Sequence, residues 1–231
     1  MPNAGDVISY TEMCADLGVS LQRGMNFRLR ENVSIILMSL RRGAPYADRV
    51  EEGVRVLIYE GHDVAKVQDG PEPKRVDQPA SYPSGRLTQN GLFLEAVRRY
   101  KNGESEPERV KVFEKIRTGI WAYNGLFRLT DAFTETSNGR KVFKFRLELA
   151  DDPEPSDTRQ HDALEHDRVI PSAVKLEVWK RDKGRCVICG EAKNLHFDHI
   201  IPFSQGGSSR DAKNIQILCA KHNLAKKDAI M

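Results

Sequence analysis

Two short motifs near the end of the chain restrict its folding most strongly. Cys186 and Cys189 form a Cys-x-x-Cys pair between glycines, and Cys219 and His222 form a Cys-x-x-His pair further along. Three thiolates and one imidazole are the donors of a closed, tetrahedral zinc site. The alternative is a set of buried, unreactive cysteines, but three of the four cysteines in the chain fall in this pattern. The motifs therefore predict a structural zinc ion (Zn²⁺) that stabilises a small module with little core of its own.

A polar pair, Asp198 and His199, lies between the two motifs. It belongs to the apolar segment LHFDHII, which is typical of a strand. A proline and two glycines follow, and a second strand is predicted over residues 214–218, directly before the second ligand pair. In these residues and their spacing, the segment 186–228 resembles the HNH, or ββα-metal, nuclease module.

The resemblance implies an active site for phosphodiester hydrolysis. Such a reaction needs an attacking water, a base and a cation that balances the charge on the phosphate. By the resemblance, His199 is the base, since imidazole titrates near neutral pH. Asp198 is a ligand of a catalytic Mg²⁺ or Mn²⁺ ion, and the amide of Asn214 ties the loop to the strand and orients the base. In the third position the chain has Asn223 instead of histidine, and its amide oxygen is also a possible ligand for a hard metal ion.

The role of His222 has an alternative. It could be the third active-site histidine, in which case the zinc ion would need a fourth ligand such as His196. The zinc assignment is favoured because Cys-x-x-His mirrors Cys-x-x-Cys and leaves Asn223 at the start of a helix. His196 is then a strand residue without an assigned role.

Composition and charge indicate a globular protein with a polyanionic partner. Of the 231 residues, 39% are hydrophobic and 30% are charged, and no apolar run of eighteen residues or signal peptide is present. Cysteines explained by zinc indicate a reducing, cytoplasmic location. Residues 151–168 hold seven acidic and two basic side chains, whereas residues 171–231 hold eleven basic and six acidic ones. We therefore expect an acidic linker at 151–170, followed by a basic module at 171–231 that binds DNA.

The first 150 residues predict an α+β domain with a curved sheet. Apolar or alternating segments indicate strands near residues 33–38, 54–59, 110–116 and 119–130. A hairpin is expected at Asn138-Gly139, followed by an alternating strand up to Leu149. One helix is predicted from Thr88, its capping residue, to Tyr100.

This order of elements resembles the SRA, or YDG, domain. The residues that carry the resemblance are a strand ending in Tyr59-x-Gly, a Leu-Thr-x-Asn helix start, and Tyr123-Asn124-Gly125, where asparagine replaces the family's aspartate. The resemblance implies a crescent-shaped β-barrel that flips a modified cytosine out of duplex DNA. It also implies that Tyr46 and Tyr59 sandwich the base and that Asp48 accepts a hydrogen bond from its exocyclic amine.

Together the two resemblances predict a modification-dependent restriction endonuclease. An SRA-like barrel with flanking helices would bind double-stranded DNA that carries 5-methylcytosine or 5-hydroxymethylcytosine, and a zinc-stapled ββα-metal domain would cut nearby. Because one HNH site cuts one strand, a double-strand break predicts a homodimer. The alternatives are a zinc-containing DNA-binding or regulatory protein with an inactive nuclease fold, and a nuclease that is indifferent to modification.

Overall fold

A computed structural model describes residues 2–21, 24–29, 33–51, 55–68, 70–150, 169–202 and 205–226. The expected linker falls outside these ranges, except for its last two residues. The described strands are β1 Asp6–Ser9, β2 Met25–Asn26, β3 Ser34–Met38, β4 Arg49–Glu51, β5 Val56–Glu60, β6 Glu108–Arg117, β7 Ile120–Ser137, β8 Arg140–Leu149, β9 Leu195–His199 and β10 Ile215–Cys219. The described helices are α1 Tyr10–Leu17, α2 Gln89–Lys101, α3 Ser172–Arg181 and α4 Ala220–Lys226. The expected α+β class is confirmed.

One sheet contains all ten described strands. Its main path runs β10-β9-β1-β7-β6-β3-β2, while β8 joins β7 to β5 and β5 carries β4. The pairing of β3 with β6 is parallel and the other described pairings are antiparallel. The long strand β7 has an irregular register with β6 near Val112 and with β8 near Leu129. Such bulges bend a strand and increase its local twist.

Local sequence signals explain most of the element boundaries. Thr88 caps α2 by accepting a hydrogen bond from the Gly91 backbone N–H, and the helix buries Phe93 and Val97 against the sheet. Residues Asn138 and Gly139 both have positive φ, as a two-residue hairpin turn requires. No helix among the described residues is long and apolar enough to cross a membrane.

Strand β1 and helix α1 were not predicted, because the first twenty residues carry few sequence signals. The helix begins with a capping box in which Ser9 and Glu12 exchange hydrogen bonds. The strand has partners on both sides: Val7 lies opposite Ala122 of β7 and Leu195 of β9. The sheet therefore continues from the expected first domain into the expected nuclease module.

Candidate functional site

The two ligand motifs converge at the end of the β9–β10 hairpin. Cys186 and Cys189 lie on a turn after α3, Cys219 ends β10, and His222 lies on the first turn of α4. One donor atom of each residue lies within 4.8 Å of the others. The turn is held to the strand by a hydrogen bond from the Val187 N–H to the Ile217 carbonyl, at 3.0 Å.

The donor atoms lie within a few tenths of an ångström of the separations that a tetrahedral zinc ion needs, for the three pairs with hydrogen-bond-like contacts. Zn–S bonds of about 2.3 Å and Zn–N bonds of about 2.0 Å place tetrahedral ligand atoms roughly 3.5–3.8 Å apart. The Sγ atoms of Cys189 and Cys219 are 3.8 Å apart, and the Nδ1 atom of His222 lies 3.2 Å from Cys219 Sγ and 3.5 Å from Cys186 Sγ. In the described part of the chain it is thus His222 that joins the cysteines, while His196 lies 2.6 Å from Asp6 on β1. The residues present fit a zinc ion.

Backbone N–H groups favour the thiolate form of Cys186. Burial raises the pKa of this thiol, but hydrogen bonds from the backbone at Cys189, Cys219 and Ile188 outweigh burial and bring the pKa to about 6. A thiolate is the form that binds metal ions. The backbone of the turn therefore favours the metal-binding form of Cys186.

Asp198 already has a cationic partner. Its Oδ2 atom lies 2.8 Å from the buried Nζ of Lys226 on α4 and accepts a hydrogen bond from Gln216 Nε2 at 3.0 Å. Lys226 also donates to the His199 carbonyl oxygen. Within the described residues, Lys226 and Gln216 both contact Oδ2 of Asp198. A divalent cation would therefore bind at Oδ1. Sequence reasoning missed Lys226, although its position four residues after His222 could have placed it on the same helix.

His199 ends β9 and faces the loop that leads to β10. Its Nε2 atom lies 2.8 Å from the hydroxyl oxygen of Ser209, which is buried. A hydrogen bond at one ring nitrogen fixes the orientation of an imidazole and selects its tautomer. Ser209 is thus a second residue that the sequence did not single out.

Asn214 ties the loop after β9 to the start of β10. Its side-chain oxygen accepts from the Ile201 N–H at 2.8 Å, and its amide nitrogen donates to the carbonyls of Ile201 and Ser208, both at 3.1 Å. Gly207 lies in the same tight place, since a Cβ atom there would come within 1.8 Å of the Ile201 carbonyl oxygen. The amide therefore fixes the loop that carries Ser209 next to His199.

Asn223 lies on α4, one residue after His222 and half-buried. It precedes Lys226 by three positions, and residues three apart share a helix face. Because Lys226 reaches Asp198, Asn223 lies on the face of α4 that is turned toward β9. Its role as a metal ligand stays a prediction.

The three expected base-binding residues lie around the end of β5. Tyr46 is half-buried and Tyr59 is buried. Between them stands His62, which stacks on Tyr46 with ring centroids 5.6 Å apart and meets the Tyr59 hydroxyl with Nε2 at 3.1 Å. The ring of Tyr46 also faces Lys74 Nζ, at 4.0 Å from its centroid. His62 was not expected from the sequence; it is the first residue after the Tyr-x-Gly motif.

The side chain of Asp48 stabilises the same region through hydrogen bonds with backbone N–H groups. Its two oxygens accept hydrogen bonds from the N–H groups of Glu60, at 3.0 Å, and Ser39, at 3.1 Å. Burial raises the pKa of Asp48 to about 6, although these hydrogen bonds oppose the increase. Burial likewise raises the pKa of Tyr46 and of Tyr59. A carboxyl so placed remains able to accept further hydrogen bonds, since each oxygen has two lone pairs.

Buried ion pairs hold the two loops that carry these residues. Lys144 of β8 donates hydrogen bonds from Nζ to Glu60 Oε2 at 2.8 Å and to the Ala47 carbonyl oxygen at 2.9 Å. Arg140 bonds Asp63 at 2.7 Å. Lys144 was expected on the solvent side of an alternating strand, but it is only 1% exposed. Its ammonium group is paired because an unpaired buried charge is strongly unfavourable.

A cavity of about 680 Å³ is lined by Met25, Asn26, Tyr82, Arg86, Leu87, Gln89 and Leu92, and the three expected base-binding residues are not in its lining. Met25 follows Gly24 in the sequence, and Gln89 precedes Asn90. Gly24 and Asn90 both lie against the base-binding region. A Cβ atom on Gly24 would come within 2.8 Å of the Tyr59 hydroxyl, and Asn90 bonds the His62 backbone at both its N–H and its carbonyl.

Two kinds of known proteins are similar to this chain. Residues 186–229 match the family model described as HNH endonuclease. A solved structure of the SRA domain of SUVH5 with hemimethylated CG DNA is similar at 24% identity, with a TM-score of 0.44, over 66% of this chain and 92% of that chain. The same domain bound to fully hydroxymethylated CG DNA is similar at 24% identity and a TM-score of 0.45, over 66% and 91%.

SUVH6 from Arabidopsis thaliana in complex with SAM is similar at 20% identity and a TM-score of 0.40, over 66% of this chain and 26% of that chain. A search of curated proteins finds no match. The HNH match covers the whole Cys₃His cluster and the Asp198–His199 pair, so the end of this chain is similar to HNH endonucleases.

Proposed function

We propose that this chain is a modification-dependent restriction endonuclease. It flips 5-methylcytosine or 5-hydroxymethylcytosine out of duplex DNA and hydrolyses a phosphodiester bond nearby. The observation that carries the proposal is the juxtaposition of Asp198, His199 and Asn214 on a ββα unit, beside a Cys₃His cluster, within the stretch that matches HNH endonucleases. The presence of all three residues favours a nuclease over a module that only binds.

The residues have distinct tasks in this reaction. His199 takes the proton from the attacking water, and Ser209 and Asn214 hold the imidazole and its loop in place. Asp198 and Asn223 would hold a Mg²⁺ or Mn²⁺ ion, which would supply positive charge for the phosphate and the leaving oxygen. The zinc ion at the Cys₃His cluster is structural, because four protein ligands leave no open position.

Recognition of the modified base is assigned to the region around Tyr46, Asp48 and Tyr59. Two aromatic rings provide the stacking energy that offsets the few kcal/mol needed to extrude a base. His62 fills the space between these rings, so the base enters by displacing that ring or by stacking beside it. The carboxyl of Asp48 accepts a hydrogen bond from the exocyclic amine of cytosine. The sequence resemblance to SRA domains supports this part of the proposal.

Cleavage of both strands requires two active sites. We therefore propose a homodimer on DNA, since each HNH site cuts one strand. The rate of double-strand cleavage should then rise with the square of the enzyme concentration at low occupancy, while nicking rises linearly.

The nuclease assignment is tested by replacing the base. In a plasmid assay with Mg²⁺ or Mn²⁺, His199→Ala should lower the cleavage rate by about 10²- to 10⁴-fold, the range for loss of a general base. DNA binding, measured by a mobility shift, should stay unchanged. Lys221→Ala, an exposed substitution on α4, is the control. Cleavage by His199→Ala at the wild-type rate would disprove the assignment.

One contact favours a second candidate function. The ion pair between Lys226 and Asp198 already neutralises the carboxylate that should hold the catalytic cation. A nuclease fold with this charge arrangement could act as a zinc-containing DNA-binding or regulatory protein. In that case Lys226→Met would leave DNA binding intact and no divalent ion would produce cleavage in any variant.

A further inference from the structure

The predicted nuclease module and the predicted base-reading domain are joined by more than a linker. Strand β1 pairs on one edge with β7 of the barrel and on the other with β9 of the nuclease hairpin. In the same place the Asp6 carboxylate of β1 meets His196 of β9 at 2.6 Å. Backbone pairing of this kind fixes both distance and orientation between the two parts.

A single hydrophobic cluster lies under this junction. Ile116 and Ala122 come from the barrel strands β6 and β7, and Val174 and Val178 come from α3, which precedes the zinc turn. The other members belong mostly to the nuclease hairpin and include Leu195, Phe197, Ile215 and Ile217. Because apolar side chains from both parts exclude water together, separating the parts would expose the cluster.

A buried polar triad crosses the same junction. Lys175 of α3 donates from Nζ to Asn124 Oδ1 at 2.6 Å and to Glu114 Oε2 at 3.2 Å. Asn124 in turn donates from Nδ2 to the same Glu114 oxygen at 3.1 Å. The side chains of Lys175 and Glu114 are each 2% exposed. Charges this deeply buried persist only with a partner, so moving α3 would leave both uncompensated.

The geometry of β7 explains why asparagine occupies the middle of the Tyr-Asn-Gly motif. Tyr123 and Gly125 pair with neighbouring residues of β6, which leaves Asn124 as the extra residue of a bulge. A bulge turns its side chain away from the regular alternation. The neutral amide then accepts from Lys175 and donates to Glu114, whereas an ionised aspartate would only accept and would place a second negative charge beside Glu114.

We infer that Lys175 is a positioning residue that fixes the nuclease site relative to the base-binding site. The inference rests on the proposed function. It adds that cleavage occurs at a constant distance from the flipped base, and that docking through β1, the shared cluster and the triad sets this distance. The length of the segment 151–168 does not set this distance.

The docking itself is tested without DNA. A site-specific protease sequence is inserted within residues 151–168, and the folded full-length protein is cut there and passed over a sizing column. The two fragments should elute together, and Lys180→Met, an exposed substitution on α3, should behave in the same way. Separate elution of the wild-type fragments would overturn the inference.

The role of the triad is tested with a double variant, because Lys175→Met alone would leave the buried Glu114 carboxylate without its cationic partner and could prevent folding. The double variant Lys175→Met/Glu114→Gln removes both charges together. Its cut fragments should separate at a lower urea concentration than those of the wild type. An unchanged urea midpoint would show that the triad does not hold the junction.

The distance is tested on a duplex with one 5-methylcytosine, by mapping the cut positions on a sequencing gel. About ten Gly and Ser residues are inserted into the segment 151–168, which lengthens it by a flexible stretch of many ångströms. The cut positions should stay unchanged. In the intact double variant the cuts should spread over more phosphodiester bonds. Cut positions that move with the insertion would overturn the inference. A protein whose fragments stay together but which cuts no duplex would instead contradict the proposed function.

Discussion

At the scale of single residues, Asp48 combines two backbone hydrogen bonds with a burial that opposes its charge. Its pKa rises from the ordinary 3.8 to about 6 because burial disfavours the carboxylate. The folded protein therefore binds this proton more tightly than the unfolded chain does. The resulting stabilisation is complete below about pH 4 and is lost as the pH rises through 6.

Replacing Asp48 should remove this pH dependence. A pKa increase of this size corresponds to about 3 kcal/mol. Between pH 4 and pH 7, the free energy of unfolding of Asp48→Asn should therefore gain about that amount relative to the wild type, as measured by urea titration. Asp77→Asn is the control, since Asp77 is exposed and also accepts a backbone N–H, at 2.7 Å. A constant difference between wild type and Asp48→Asn across this range would contradict the assignment.

The zinc assignment also depends on individual side chains. The purified wild type should contain about one zinc ion per chain by elemental analysis, and Cys219→Ser should contain none. Cys14→Ser provides the control, because Cys14 lies on α1, outside the Cys₃His cluster. Removal of zinc by a chelator should lower the midpoint of thermal unfolding. Equal zinc content in Cys219→Ser and the wild type would exclude this cluster as the site.

At the scale of elements, the loop between β9 and β10 is fixed by a close approach of its backbone to Asn214. Gly207→Ala would force a Cβ atom against the Ile201 carbonyl and the Asn214 amide. We expect a loss of roughly 1–3 kcal/mol of unfolding free energy, as for overpacked sites, and a slower cleavage because Ser209 shifts away from His199. Both effects are measured by urea titration and by plasmid nicking.

The neighbouring glycine serves as the control for this prediction. Gly206 has a φ of +86°, and a Cβ atom at this position would have no neighbour within 4 Å, so Gly206→Ala introduces backbone strain without a clash. Its unfolding free energy should fall by only about 1 kcal/mol. If both substitutions slowed cleavage equally, the close approach would not be the cause.

Some of these elements were predictable from the sequence and others were not. The cap at Thr88 and the turn at Asn138-Gly139 are local signals that tertiary contacts leave unchanged. The metal-ligand motifs were predictable because their spacing reflects the chemistry of one ion. Strand β1 has only four residues, and it is a strand because β7 and β9 flank it, which no local pattern reveals.

The same distinction separates the predicted site residues from the missed ones. Asp198 and His199 stand out because polar residues interrupt an apolar strand. Lys226 and Lys175 look like ordinary solvated lysines in the sequence, yet both are buried and paired with acids from distant segments. Charge composition cannot identify such pairs, since their burial is decided by the packing of elements far apart in the chain.

At the scale of the whole molecule, one sheet extends from the tyrosines near β5 to the metal ligands after β10. The path passes through β8, β7, β1 and β9 without a break in the described residues. A base bound at one end and a phosphate cut at the other would therefore be held by one continuous framework. We therefore expect the two sites to stay aligned when the length of the acidic segment between them is changed.

In a modification-dependent endonuclease, cleavage depends on a modified cytosine. The most direct measurement compares the digestion of one plasmid in methylated and unmethylated form, at equal enzyme concentration in Mg²⁺. We expect fragments from the methylated plasmid only, with the unmethylated plasmid intact over the same period. Equal digestion of both would contradict it and would indicate a nuclease that is indifferent to modification.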